Sequence, residues 1–314
     1  MSKSSSVILA DPTLADPKKG AMTTHTQVAA AAPIWVKEQL LGPLRDAGVV
    51  HTGRHAIYVS IRAGDARRCV GLLSRSSSAV PCGLHTALPD LSGLVAANGT
   101  LAPGDTVTVG EGLLRFGAVD FHVGRTVDRS VPRLNPADAK IMAERLRQVI
   151  GDRLAAVRTE LPAESLALLA QADAVSVLML LGRGSGLTPV GDDALAGWLA
   201  TMKATHSDAG SIAQSVAHLS TDATTLLSAT LLDRANAGDV LPEFRTFLLD
   251  LRSSVNGRHG DQLRNSVDRM LAVGHTSGAG LLLGSLLAFD YLSTSQPRTE
   301  QLSTDQLKRR NRRS

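Results

Sequence analysis

Aromatic residues are scarce in this chain, at 3% of 314 positions. A core of any size must therefore be built from Leu, Ala and Val, which favours close helix packing over an aromatic-rich β-sandwich. Cysteine is almost missing. Cys69 and Cys82 are too few for a disulfide framework, stand in no metal-ligand spacing, and fit a reducing compartment. Long apolar runs are missing too. The longest, Ala279 to Phe289, is broken by Gly284 and Ser285 and is too short to span a bilayer. The opening MSKSSSVILADP has too short an apolar run for a secretory leader. These absences predict a cytoplasmic protein with no membrane partner.

The positive charge is local. The formal net charge is +4, and five positive charges fall in the last seven residues: Lys308, Arg309, Arg310, Arg312 and Arg313. The body is then close to neutral. A basic end can touch nucleic acid or acidic surfaces. No zinc-finger or RRM-like signature accompanies it, however, and a solvated end accounts for it. No nucleic-acid partner is expected.

Along the chain the pattern changes several times. Residues 1–48 are read as a mostly disordered leader with a short helix near Ile34 to Leu44. Residues 49–134 carry short β-prone runs: Ala56 to Ile61, Arg68 to Ser74, Thr106 to Gly110, Leu113 to Phe116 and Ala118 to Val123. The stretch VTVGEGLLRF reads as a hairpin, and the loop Ser74 to Ala87 is a candidate cover for a site. From Asn135, a plausible N-cap with Pro136 behind it, apolar residues recur at helical spacing to about 295. Residues 296–314 form a basic disordered tail. The fold expected is α+β: a small β-rich N-terminal subdomain over 49–134, followed by a larger α-helical subdomain over 135–295.

What is abundant is glycine at two turns. Residues Gly182 to Trp198 read GRGSGLTPVGDDALAGW, and Gly274 to Leu286 read GHTSGAGLLLGSL. Each gives G-x-T, then a glycine, then L-x-G. Glycine loops that feed a helix start expose backbone N–H groups and the positive end of a helix dipole, which suits an anion. The two aspartates complicate this, because they would repel a bare phosphate. Asp192 can cap a helix beginning near Asp193, leaving the other carboxylate for a ligand or a cation such as Mg²⁺. Neither turn is a P-loop or a Rossmann fingerprint. A plain helix–helix turn with a C-cap glycine and an Asp N-cap would explain the first turn as well. Repetition of the pattern favours a shared site. Its candidate catalytic residues are Asp192, Asp193 and His275. The candidate anion-binding residues are Gly184, Ser185, Gly186, Thr188, Gly191, Thr276, Ser277 and Gly278. Glycine at Gly197 and Gly284 removes bulk about two turns into each helix, so the helices can approach closely and their N-termini can face one cleft.

The pair GRGSGLTPVGDDALAG and, about ninety residues on, GHTSG-x-x-LLLG resembles the family around the AllH-type subunit of oxamate carbamoyltransferase. The chain departs from it at Val190, where a small residue is common. It also departs at Ala279 and Gly280, where an aromatic and an aspartate are common, so the second turn brings no carboxylate here. The resemblance implies carbamoyl transfer between oxamate and phosphate. It also implies a hetero-oligomer with an acyl-CoA-synthetase-like subunit and another protein. Two functions follow as expectations. One is an enzyme subunit handling a small carboxylate with phosphate or carbamoyl phosphate. The other is a non-catalytic carboxylate-binding or assembly subunit.

Overall fold

The computed structural model describes residues 25–64, 66–257 and 260–295. Residues 1–24, half of the expected leader, and the whole basic tail lie outside the described residues. The strands are β1 (Thr26–Ala32), β2 (Arg45–Thr52), β3 (Ala56–Ala63), β4 (Ala66–Leu73), β5 (Gly83–Thr86), β6 (Thr106–Gly110), β7 (Leu113–Phe116) and β8 (Val119–Thr126). Two short helices, α1 (Ile34–Gln39) and α2 (Ser92–Ala97), interrupt them. After β8 come α3 (Ala139–Ile150), α4 (Ala155–Glu160), α5 (Ala163–Leu169), α6 (Val175–Leu180) and α7 (Val190–Ala204). The last are α8 (Gly210–Ala223), α9 (Leu226–Ala237), α10 (Pro242–Ser254), α11 (Gly260–Leu271) and α12 (Ser277–Ser295).

The strands close into a barrel in the order β1-β5-β4-β3-β2-β6-β7-β8. This corrects the expected fold class, a small β-rich subdomain starting at 49. The sheet begins at Thr26, has eight strands and leaves no edge. The physical reason is closure. An open seven-stranded sheet would present unpaired N–H and C=O groups along two edges. Strand β1 fills that gap, pairing antiparallel with β5 (Ala30 opposite Thr86) and parallel with β8 (Thr26 opposite Val119). Buried Asp120 on β8 pins it, accepting from Gln27 Nε2 at 3.0 Å and from Arg115 at 2.6 and 2.9 Å, with His25 Nδ1 at 3.2 Å. The expected hairpin is β6–β7, with Gly110 opposite Leu113. The barrel interior is aliphatic apart from Phe116 and Phe121, whose rings meet edge to face at 6.0 Å.

The helices build a second core around α7 and α12. Both are mainly apolar and buried through most of their length, as suits a central helix. Their backbones nearly touch. A Cβ added to Gly197 would lie 2.1 Å from the Leu281 carbonyl oxygen, and one on Gly284 would lie 1.9 Å from that of Ala194. A hydrogen bond of 3.0 Å from Thr201 Oγ1 to Ser285 Oγ crosses the same contact. Asn135 caps a 3₁₀ turn before α3, its side chain accepting from the Ala137 N–H.

Helix α9 lies against β4 and joins the two cores. The Cys69 N–H donates to Thr230 Oγ1 at 2.8 Å, Arg68 pairs with Asp233 at 3.3 Å, and the Arg234 guanidinium stacks 4.5 Å from the Trp35 ring centre. Cys69 and Cys82 are free and buried, and burial pushes the Cys82 thiol up to about 12. No helix among the described residues is long and apolar enough to cross a membrane.

Candidate functional site

The first turn is shaped by backbone that only glycine tolerates easily. Gly182 has φ +73° and its missing Cβ would collide with the Ala223 carbonyl oxygen at 2.3 Å; Gly184 has φ +119°. The turn folds back on itself. The Gly191 N–H donates to the Arg183 carbonyl at 2.9 Å, and the Asp192 and Asp193 N–H groups donate to the Pro189 carbonyl at 3.0 and 3.1 Å. These first-turn donors of α7 are thus occupied within the protein.

Helix α7 begins at Val190, behind Pro189, rather than near Asp193. Asp192 does not cap it. Buried inside the first turn, it accepts from the Gly182 N–H at 2.7 Å, from Ser228 Oγ at 2.6 Å and from Thr224 Oγ1. It ties the glycine turn and α7 to the start of α9. Burial raises its pKa above the usual carboxylate range, and these three donors draw it back.

Asp193, one residue on, faces another way, because successive helical side chains are about 100° apart. It is also buried, yet its Oδ2 has no hydrogen-bond partner among the described residues. Desolvation pushes its pKa up to about 8, the Ser277 hydroxyl opposes the rise and the nearby Asp192 charge adds to it. Space for it comes from Gly280 on α12, where a Cβ would fall 2.7 Å from the Asp193 Cβ.

The two turns do meet. Thr188 Oγ1 and Ser277 Oγ are hydrogen-bonded at 3.0 Å. This pair stands between two cavities, and both residues line both of them. On one side is a polar cleft of about 460 Å³ lined by Ser185, Gly186, Thr188, His275, Thr276 and Ser277, with Glu160 at its wall. On the other is a mostly apolar cavity of about 240 Å³ that contains Asp193.

The structure therefore divides the sequence candidates. Ser185, Gly186, Thr188, His275, Thr276 and Ser277 gather at the cleft. Asp193 lines the apolar cavity instead, and His275 does not reach it. Gly184 lies in the same turn but lines neither cavity. Gly191 and Gly278 are close-approach glycines; a Cβ would lie 2.0 Å from the Leu180 carbonyl oxygen and 1.6 Å from that of Met270, respectively. A divalent cation is poorly served. Asp192 is committed to three donors, Asp193 offers one free oxygen among apolar side chains, and among the described residues no three His, Cys, Asp or Glu side chains cluster.

Sequence reading missed most of the apolar cavity. Tyr58 from β3, Leu231 from α9, Asp239 and Phe244 all line it, and none carries a local signal. The loop expected to cover a site does contribute, through Ser78, Val80 and Pro81.

Residues 180–289, which hold both turns, match the family model described as oxamate carbamoyltransferase subunit AllH; this part of the chain is AllH-like. No curated protein and no solved structure matches the chain.

Proposed function

We propose, with the AllH-like segment as the premise, that the chain is a subunit of a carbamoyltransferase-type enzyme. Its substrate would be a small carboxylate of the oxamate or oxalurate type, handled with phosphate or carbamoyl phosphate. The observation that carries this reading is the polar cleft at which both glycine turns converge, bridged by Thr188 and Ser277. Hydroxyls of Ser185, Thr188, Thr276 and Ser277 are donors for the anion. A phosphate oxygen attacks the carbamoyl carbon of oxalurate, the bond from that carbon to the oxamate nitrogen breaks, and His275 supplies the proton that nitrogen needs. Hydrogen-bond donors aimed at the carbamoyl oxygen stabilise the charge that develops there.

Among the described residues lining the cleft, His275 is the one basic side chain and Glu160 is acidic. In this reading a partner subunit of a hetero-oligomer supplies further positive charge for the two anions. The same observation favours a second reading, a non-catalytic subunit whose cleft only completes a partner's site. The test is carbamoyl phosphate formation from oxalurate and phosphate by the assembled enzyme. A tenfold or greater fall in kcat with His275→Ala supports the catalytic reading. An unchanged rate in His275→Ala and in Thr276→Val, with assembly intact, removes it and leaves the second.

A further inference from the structure

Beyond the cleft, the apolar cavity on the far side of Thr188 and Ser277 has features of a binding site in its own right. It lies between the barrel and the helical core, with Tyr58 on one wall and Leu231, Phe244 and Leu281 on the others. Its volume of about 240 Å³ exceeds the roughly 150 Å³ that suffices for benzene in an engineered apolar cavity. A ring-sized apolar body with a small head group therefore fits. Asp193, a residue 6% exposed, lines it, and its Oδ2 has no hydrogen-bond partner among the described residues. An unpaired buried polar group destabilises the fold, and an occupant with a matching head group removes that cost.

The chemistry of that head group follows from the lining. No Lys, Arg or His side chain lines the cavity among the described residues, and a second carboxyl, Asp239, does. Asp239 lies 3.4 Å from Arg234, whose charge it shares with Asp233. A carboxylate or phosphate would meet no counter-charge. An ammonium group would have to give up its hydration for a lining that is apolar apart from a few hydroxyls, a protonated Asp193 and an Asp239 already paired with Arg234. Burial lifts the pKa of Asp193 to about 8, so the protonated, uncharged carboxyl is the major form at neutral pH. A neutral carboxyl has one O–H donor and one carbonyl acceptor side by side. A primary amide presents the complementary pair.

We propose that this cavity binds a small uncharged amide with an apolar, ring-sized body, its amide paired with the Asp193 carboxyl. This ligand is not the anion of the cleft, and the site stands whether or not the chain takes part in carbamoyl transfer. The probes are benzamide, benzoate and benzylamine, titrated calorimetrically into the full chain at pH 7. Benzamide should bind at one site, at least tenfold more tightly than either charged analogue. Asp193→Asn keeps a neutral donor and acceptor and should hold benzamide within about threefold. Asp193→Leu should weaken it at least tenfold. Ala196→Met, which narrows the cavity from a wall without Asp193, should also weaken it and guards against a misfolded leucine variant. Absence of benzamide binding, preference for benzylamine or benzoate, or undiminished binding in folded Asp193→Leu or Ala196→Met would each overturn the proposal.

Discussion

Gly284 on α12 faces the backbone of Ala194 on α7 so closely that a methyl group in place of its hydrogen would lie 1.9 Å from the Ala194 carbonyl oxygen. The obstacle is backbone, so relief requires the two central helices to part. Overpacking of this kind typically costs about 1–3 kcal/mol or more, against roughly 1 kcal/mol gained from alanine's better helix propensity. Gly284→Ala should therefore destabilise the protein by about 2 kcal/mol, read as a lower urea midpoint. Gly93 in α2 has open space around its missing Cβ, and Gly93→Ala should be neutral or stabilising by up to about 1 kcal/mol. Equal effects at the two sites would sink the close-packing account.

The buried carboxyl of Asp193 makes stability depend on pH. Its folded pKa of about 8 stands above the usual unfolded value of about 4. Between those values the folded protein keeps a proton that the unfolded chain has released. The contribution is complete below about pH 4 and is lost as pH rises through 8, with a slope of at most about 1.4 kcal/mol per pH unit. Urea midpoints should fall from pH 5 to 8.5 in the wild type and fall less in Asp193→Asn. Some slope remains in the variant because burial also raises Asp192 and Asp239. Identical slopes would show that Asp193 ionises normally.

Asp120 should give the opposite sign. Hydrogen bonds from Arg115 chiefly, then Gln27, with the charges of Arg115 and His25, hold it down at about 2. Its stabilisation is present above the unfolded value near 4 and is lost as pH falls towards 2. Asp120→Asn should cost on the order of 1–2 kcal/mol at pH 7, discounted because Arg115 and His25 are partly solvated. The gap between variant and wild type should close on acidification from pH 4 to 2. A gap that stays constant would mean that shape rather than charge fixes β1 beside β8.

What could be read from the residues alone follows the range of the interactions. The runs that became β3, β4, β6, β7 and β8 carry β-branched and aromatic residues and are visible locally. Strand β1 reads TQVAAAA, a poor strand former that exists because β5 and β8 need a neighbour. That demand comes from strands more than fifty residues away and leaves no local trace. The approach of α7 and α12 was legible because Gly197 and Gly284 are costly in helices without a packing reason. The roles of Asp192 and Asp193 were not. They are adjacent and identical, and only the partners brought by Gly182, Thr224 and Ser228 tell them apart.

The bridge between Thr188 and Ser277 should register as a coupling energy. Its two hydroxyls lie 3.0 Å apart, partly buried, and join turns 89 residues apart in sequence. Neither group has a charged partner across the bridge, so a net worth of about 0.5–1.5 kcal/mol is expected. Thr188→Val keeps the side-chain shape and removes one hydroxyl; Ser277→Ala removes the other. If the bridge acts as a unit, the double variant should lose less stability than the two singles together, by that amount. Ser277→Ala alone should also lift the Asp193 pKa further, because the hydroxyl that favours its ionised form is gone. Strict additivity, with an unchanged pH profile in Ser277→Ala, would mean that the two turns touch without being coupled and that the wall between the cavities is held by the α7–α12 contact alone.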